Sequence, residues 1–257
     1  MGACDTAVPW LLVHDHPAGR CAAWATAWLS GRTSFDAALD AVAGDTAHRV
    51  VGLPGTPDAV PLGVALSALR TLGEQRLRLV LPVPGDTRGV PAVPALVALA
   101  AESGQLAVGT RVALVPEELG PEAVSWTAVD LAGAPPVPPP VEGTLRALSG
   151  ALDLAVTDSA RTLARLDLAR WHPEVPGLLT GLSSGTAQPS LPDDVDPLAV
   201  SVLARAQRLG RVLELAMADA PGAAVTTAQA AARDDALRPL ATAVREATVA
   251  AYNWVPR

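Results

Sequence analysis

Five prolines fall within six positions, 135–140, of the stretch GAPPVPPPVEG at 133–143. Proline fixes φ near −65° and carries no backbone N–H, so this stretch is neither helix nor central strand. It favours extended polyproline II and serves as a semi-rigid spacer. The 257-residue chain therefore reads as two domains, 1–133 and 144–257, joined by a proline-rich linker at 134–143. Each is long enough to bury a core of its own.

The first part alternates strand and helix signals. WLLVHDH (10–16) is a compact apolar run ending in polar residues. A helix follows with Trp24 and Trp28 one turn apart, ending near Gly31. Thr33 with Asp36 forms a capping box for a helix that buries Phe35, Leu39 and Val42 and stops at Gly44. Strands are expected at 48–54, 76–83, 111–117 and 123–131, and helices at 60–72 and 92–102. Such alternation implies an α/β domain with a mostly parallel sheet flanked by helices and right-handed crossovers. The near-repeat of VVGLPGTPDAVPL and VLPVPGDTRGVPAVPAL marks two successive strand–turn–helix units.

Beyond the linker the periodicity is helical. Leu145, Leu148, Leu152, Val156, Leu163 and Leu166 step by three, four and seven. Asp196 and Pro197 open a second stripe of Leu198, Val202, Leu209, Leu213 and Met217. A third helix starts at Thr226 or Thr227 and buries Leu237, Leu240 and Val244. Three stripes predict a small antiparallel α-helical bundle. Residues 173–197, rich in Pro, Gly and Ser, read as a long loop.

Composition excludes several activities. The 19 basic residues are all Arg. A Walker-type phosphate loop and a Schiff-base enzyme both need a Lys. Net charge is −7 with no basic block, and the chain has one Tyr and one Phe. These features argue against nucleic acid, which calls for clustered cations and stacking aromatics. No apolar run approaches the ~20 residues of a membrane span, and no hydropathic leader opens the chain. Two cysteines, Cys4 and Cys21, make no disulfide framework, so a reduced, cytoplasmic protein is expected.

Three motifs could carry chemistry. GLSSG (181–185) matches the nucleophile elbow around Ser183, but no strand precedes it, Pro189 and Pro192 block a following helix, and no His lies downstream of His172. A Ser/Gly turn explains it. His14 and His16 flank Asp15 at a strand end, where alternation points both imidazoles to one side. A strand followed by His-x-His resembles the opening of the amidohydrolases and related metal-dependent hydrolases. The resemblance covers three residues and implies His14 and His16 as ligands of a divalent metal such as zinc. Cys4 and Cys21 would be candidates to complete a tetrahedral site; two solvated imidazoles are the simpler reading.

The third motif is the pair of turns after the strands at 48–54 and 76–83. Ligands of open α/β sheets bind beyond the carboxyl ends of parallel strands. Gly55, Thr56, Gly85 and Thr87 could offer donors to an anion. Arg88 would pair with a carboxylate or phosphate, and Asp86 would act as base or metal ligand. The same prolines and glycines also suit plain strand-terminating turns. Arg205, Arg208 and Arg211 form a basic face that could meet an acidic partner or simply be solvated.

LPVPGD, LDLARW (166–171) and AYNW (251–254) together resemble a conserved, uncharacterised family of actinobacterial proteins. That resemblance spans most of the chain and implies a lineage without assigning chemistry. Two functions stay open. One is a non-catalytic cytoplasmic protein that binds a partner protein or a small ligand. The other is a hydrolase-like enzyme acting on a small anionic substrate at the strand ends through Asp86 and Arg88, with or without a metal at His14 and His16.

Overall fold

The computed structural model describes residues 16–165, 190–218 and 227–256. They fall into two compact units. One comprises residues 16–142, Ser190–Asp196 and 252–256; the other comprises residues 143–165, 197–218 and 227–251.

In the first unit the chain runs α1 (Pro17–Leu29), α2 (Phe35–Ala43), β1 (Ala47–Val51), β2 (Val60–Pro61), α3 (Leu62–Thr71), β3 (Arg78–Val80), α4 (Pro94–Ser103), β4 (Leu106–Val108), β5 (Val112–Glu118) and β6 (Ala123–Asp130). The six described strands form one sheet in the order β2-β1-β6-β5-β4-β3. Only β1 and β6 run parallel; the other four pairings are antiparallel. The expected mostly parallel sheet is therefore corrected to a mixed, mostly antiparallel one. The reason lies in the connections. Parallel neighbours need a crossover of a dozen residues or more, whereas short links make antiparallel pairs. Three residues join β4 to β5 and four join β5 to β6.

Side-chain alternation along the strands builds two apolar layers. Val80, Leu106, Val108, Ala113 and Val115 pack with Leu96 and Ala100 of α4. The alternate residues Leu79, Ala107, Val112 and Leu114 are equally buried and face the side on which α1 lies against β3, β4 and β5. Pro17 at the first position starts α1 without sacrificing a hydrogen bond. The cap of α2 differs from expectation: Ser34, not Thr33, accepts from the Ala37 N–H at 3.1 Å. Arg70 of α3 lies over the Trp28 ring at 3.9 Å and donates to the Trp28 carbonyl. Trp28 in turn meets Phe35 edge-on at 5.4 Å. Segment 190–196 docks beside α1 through a Trp24 Nε1–Ser190 Oγ bond of 3.2 Å, and one guanidinium nitrogen of Arg32, just after the helix, meets both Asp194 carboxylate oxygens.

The second unit holds α5 (Leu145–Arg165), α6 (Pro197–Ala218) and most of α7 (Thr227–Tyr252). Leu148, Leu152 and Ser159 mark the buried side of α5, and Ala199, Val202, Leu203, Ala206 and Leu213 that of α6. Ser159 donates to the Ala236 carbonyl of α7 at 3.0 Å, and Arg205 of α6 pairs with Asp153 of α5. Arg205 thus answers a carboxylate within its own unit. No helix among the described residues is long and apolar enough to cross a membrane.

Candidate functional site

The two turns singled out by sequence are the same piece of backbone used twice. Thr56 N–H bonds the Leu53 carbonyl at 2.9 Å across Pro54-Gly55, and Asp86 N–H bonds the Val83 carbonyl at 2.9 Å across Pro84-Gly85. Gly55 and Gly85 have φ of 77° and 84°. Proline at the second position and a positive-φ glycine at the third are the signature of a type II turn. The N–H groups of Thr56 and Asp86 therefore close turns. Thr87 lends its carbonyl to the Val90 N–H at 3.1 Å.

The topology keeps the two turns apart. With β1 taken as pointing up, β6 also points up, β5 down, β4 up and β3 down. The turn after β1 lies at the upper end of the sheet and the turn after β3 at the lower end. Four strand spacings separate β1 from β3, about 19 Å across the sheet. The common rim expected of parallel strands does not form, so Gly55 and Thr56 do not join Gly85, Asp86, Thr87 and Arg88.

Within the lower turn, Asp86 and Arg88 hold each other. Arg88 Nε donates to Asp86 Oδ1 at 2.9 Å, its second guanidinium nitrogen donates to Oδ2 at 2.7 Å, and its backbone N–H reaches Oδ1 at 3.2 Å. This is the bidentate fork-to-fork geometry of a guanidinium–carboxylate pair.

The proposed metal ligands divide between described and undescribed residues. His14, Cys4 and residues 10–15 of the strand expected at 10–16 lie outside the described residues, as do Ser183, LDLARW and His172. His16 is the N-cap of α1, 5% exposed, and its ring meets Tyr252 edge-on at 6.4 Å. Cys21 is fully buried in α1, and desolvation pushes its thiol up to about 12 against the partial opposition of Arg20. A thiol in such surroundings resists forming the thiolate that binds metal or attacks carbon. Among the described residues no three His, Cys, Asp or Glu side chains gather as a metal-binding group.

Two polar centres escaped the sequence reading. His48 sits in β1 between Trp126, whose indole Nε1 donates to Nδ1 at 2.9 Å, and Thr46, whose Oγ1 lies 2.7 Å from Nε2. Thr46 Oγ1 donates its proton to the Ala43 carbonyl, and an indole nitrogen only donates. His48 must therefore be neutral with its proton on Nε2. Burial, reinforced by Arg20, lowers its pKa from the usual 6.5, while Ala43 acts weakly in the other direction. Glu74, 3% exposed, accepts four hydrogen bonds from the β4–β5 turn. Nothing in LGEQ (72–75) signals that role, because the partners lie 36 to 38 residues away.

Comparison with known proteins gives the lineage of the chain. Residues 18–143 match the family described as Rv1486c-like protein, N-terminal domain, and residues 146–249 match Rv1486c-like protein, C-terminal domain. The chain is 28% identical over 274 residues to the uncharacterized protein Rv1486c of Mycobacterium tuberculosis, covering 90% of this chain and 94% of that one. It is 28% identical over 292 residues to the uncharacterized protein ML1804 of Mycobacterium leprae, with 93% and 97% covered. No solved structure matches it. With both of its domains matched, the chain belongs to the Rv1486c-like family, a conserved and uncharacterised family of actinobacterial proteins.

Proposed function

We propose that the chain is a non-catalytic cytoplasmic protein that acts by binding a partner protein or small ligand. The observation that carries this reading is the Asp86–Arg88 pair. A general base must have an acceptor to offer a substrate proton, and an anion-binding guanidinium must have its fork open. Here each group is turned to the other. Among the described residues three further groups support this reading: His48 is held neutral, Cys21 is buried as the thiol, and Glu74 faces four donors. The buried thiol of Cys21 accords with a reducing compartment. The helical part, matched separately from residue 146 onward, reads as a small antiparallel bundle that supplies a second binding module.

The test compares the full chain with an Asp86→Ala/Arg88→Ala double variant. Both are assayed on phosphate and carboxylate esters with and without zinc or magnesium, and both are crosslinked in an actinobacterial host. The expected result is no turnover that depends on these residues, and the same crosslinked partner for both proteins. Turnover by the wild type that the double variant lacks would establish the enzymatic reading instead, with Gly85 and Thr87 beside the reacting group.

A further inference from the structure

Glu74 lies in the connection between α3 and β3. Its Oε2 accepts from the Thr110 N–H and the Thr110 hydroxyl, both at 2.8 Å, and its Oε1 accepts from the Arg111 N–H at 2.6 Å and the Val112 N–H at 2.9 Å. Three successive backbone N–H groups aimed at one point make an anion-binding concavity. The fold goes further to admit the anion. A Cβ on Gly109 would stand 2.3 Å from Oε1, so any other residue there would push the carboxylate from this position. All four donors belong to a single short turn, Thr110–Val112, while the acceptor comes from a distant part of the chain. The donor array and its occupant are separate pieces.

We propose that the 109–112 turn is a carboxylate receptor and that Glu74 is its built-in occupant, whose place a small monocarboxylate takes once the Glu74 side chain is truncated. Two planar oxygens are matched by two donors each, which suits a carboxylate. The atoms that Glu74→Ala removes, one methylene and one carboxylate, amount to an acetate ion. The vacated volume is buried and lined by N–H donors that are destabilising when left unmatched, so an external acetate or formate binds there and restores stability in proportion to its occupancy.

The experiment follows thermal unfolding of the full-length wild type, Glu74→Ala and Glu74→Gln in sodium acetate, sodium formate and sodium chloride at equal ionic strength. In chloride, Glu74→Ala loses on the order of 10 °C in Tm. Acetate and formate recover several degrees of that loss in a saturable way, and leave the wild type unmoved. Glu74→Gln also melts lower, because its NH2 group opposes a donor, and acetate does not help it because the amide fills the site. An equal response of Glu74→Ala to acetate and chloride, or a Gln variant as stable as the wild type, overturns the proposal. Should Glu74→Ala prove insoluble, its refolding yield from urea is compared in the same salts. A several-fold higher yield in acetate and formate supports the proposal, and equal yields overturn it.

Discussion

The side-chain amide of Asn253 bonds both backbone groups of Leu79. Leu79 N–H donates to Asn253 Oδ1 at 2.7 Å, and Asn253 Nδ2 donates to the Leu79 carbonyl at 2.9 Å. An asparagine amide carries the same donor and acceptor as a peptide, so it stands in for a neighbouring strand. Two residues earlier Thr26 does likewise with one hydroxyl, accepting from the Leu77 N–H at 3.0 Å and approaching the Leu77 carbonyl at 3.1 Å. Among the described strands β3 ends the sheet, and an open edge is a template for unwanted pairing. Two side chains close it without adding a strand.

Asn253→Ala should therefore destabilise the α/β unit by about 1–3 kcal/mol, the cost of leaving a buried N–H and C=O unmatched. Asn253→Asp should do no better, since a carboxylate accepts from Leu79 N–H but has no proton for its carbonyl. Urea unfolding followed by circular dichroism checks both. A loss below a few tenths of a kcal/mol in the Ala variant would mean that water replaces the amide.

The Asp86–Arg88 pair calls for the opposite result. Its side chains are 21% and 49% exposed, and exposed ion pairs are worth roughly 0–1 kcal/mol. Neutralising both should leave the urea midpoint almost unchanged, and what difference exists should shrink in 1 M salt. A loss well above 1 kcal/mol would show that the pair, and not the Pro84-Gly85 turn, sets the local backbone.

The sequence made some of this legible and concealed the rest for physical reasons. The helices around Trp24 and Leu66 could be read because each shows apolar residues at helical spacing. The start of α6 at Pro197 was signalled by Asp196-Pro197. β4 was not, since three residues between Gln105 and Gly109 are too few to show a period. Missing it hid the reversals that carry β3 down while β1 runs up, and with them the separation of Gly55 from Gly85. The short link between Glu118 and Ala123 did hold the clue, because no crossover fits in four residues. The Asp86–Arg88 pairing was hidden for another reason. Two opposite charges two residues apart in a turn can equally face a ligand or each other, and only the backbone decides.

His48 predicts a pH dependence of definite sign. Its folded pKa is lowered below the 6.5 of the unfolded chain, first by burial and then by Arg20. As pH falls, the unfolded state takes up the proton first, so stability is full above about pH 6.5 and is lost progressively below it. The structural cause is explicit: a proton on Nδ1 would face the Trp126 indole N–H. His48→Asn keeps an acceptor near the Nδ1 position without the titration. The difference in unfolding free energy between wild type and His48→Asn should be flat from about pH 7 to 8 and should turn against the wild type as pH falls below about 6.5. Parallel curves across that range would place the indole bond elsewhere.

Cys21 gives the last prediction. Its thiol is fully buried among Ala18, Ala22 and Ala25 of α1, and its pKa is raised to about 12. Alkylation requires thiolate and access, and both are denied in the folded state. In a Cys4→Ser background, which leaves one thiol, iodoacetamide at pH 8 should label the folded protein only at the rate of its opening and should label the urea-unfolded protein promptly. Because α1 carries the Thr26 clasp on Leu77 as well as Cys21, Thr26→Val should accelerate that labelling several-fold, as loosening the β3 edge raises the population of the opened state. Labelling of the Thr26→Val variant at an unchanged rate would separate the opening of α1 from the edge of the sheet, and would leave the hydroxyl bridge as local satisfaction of Leu77 alone.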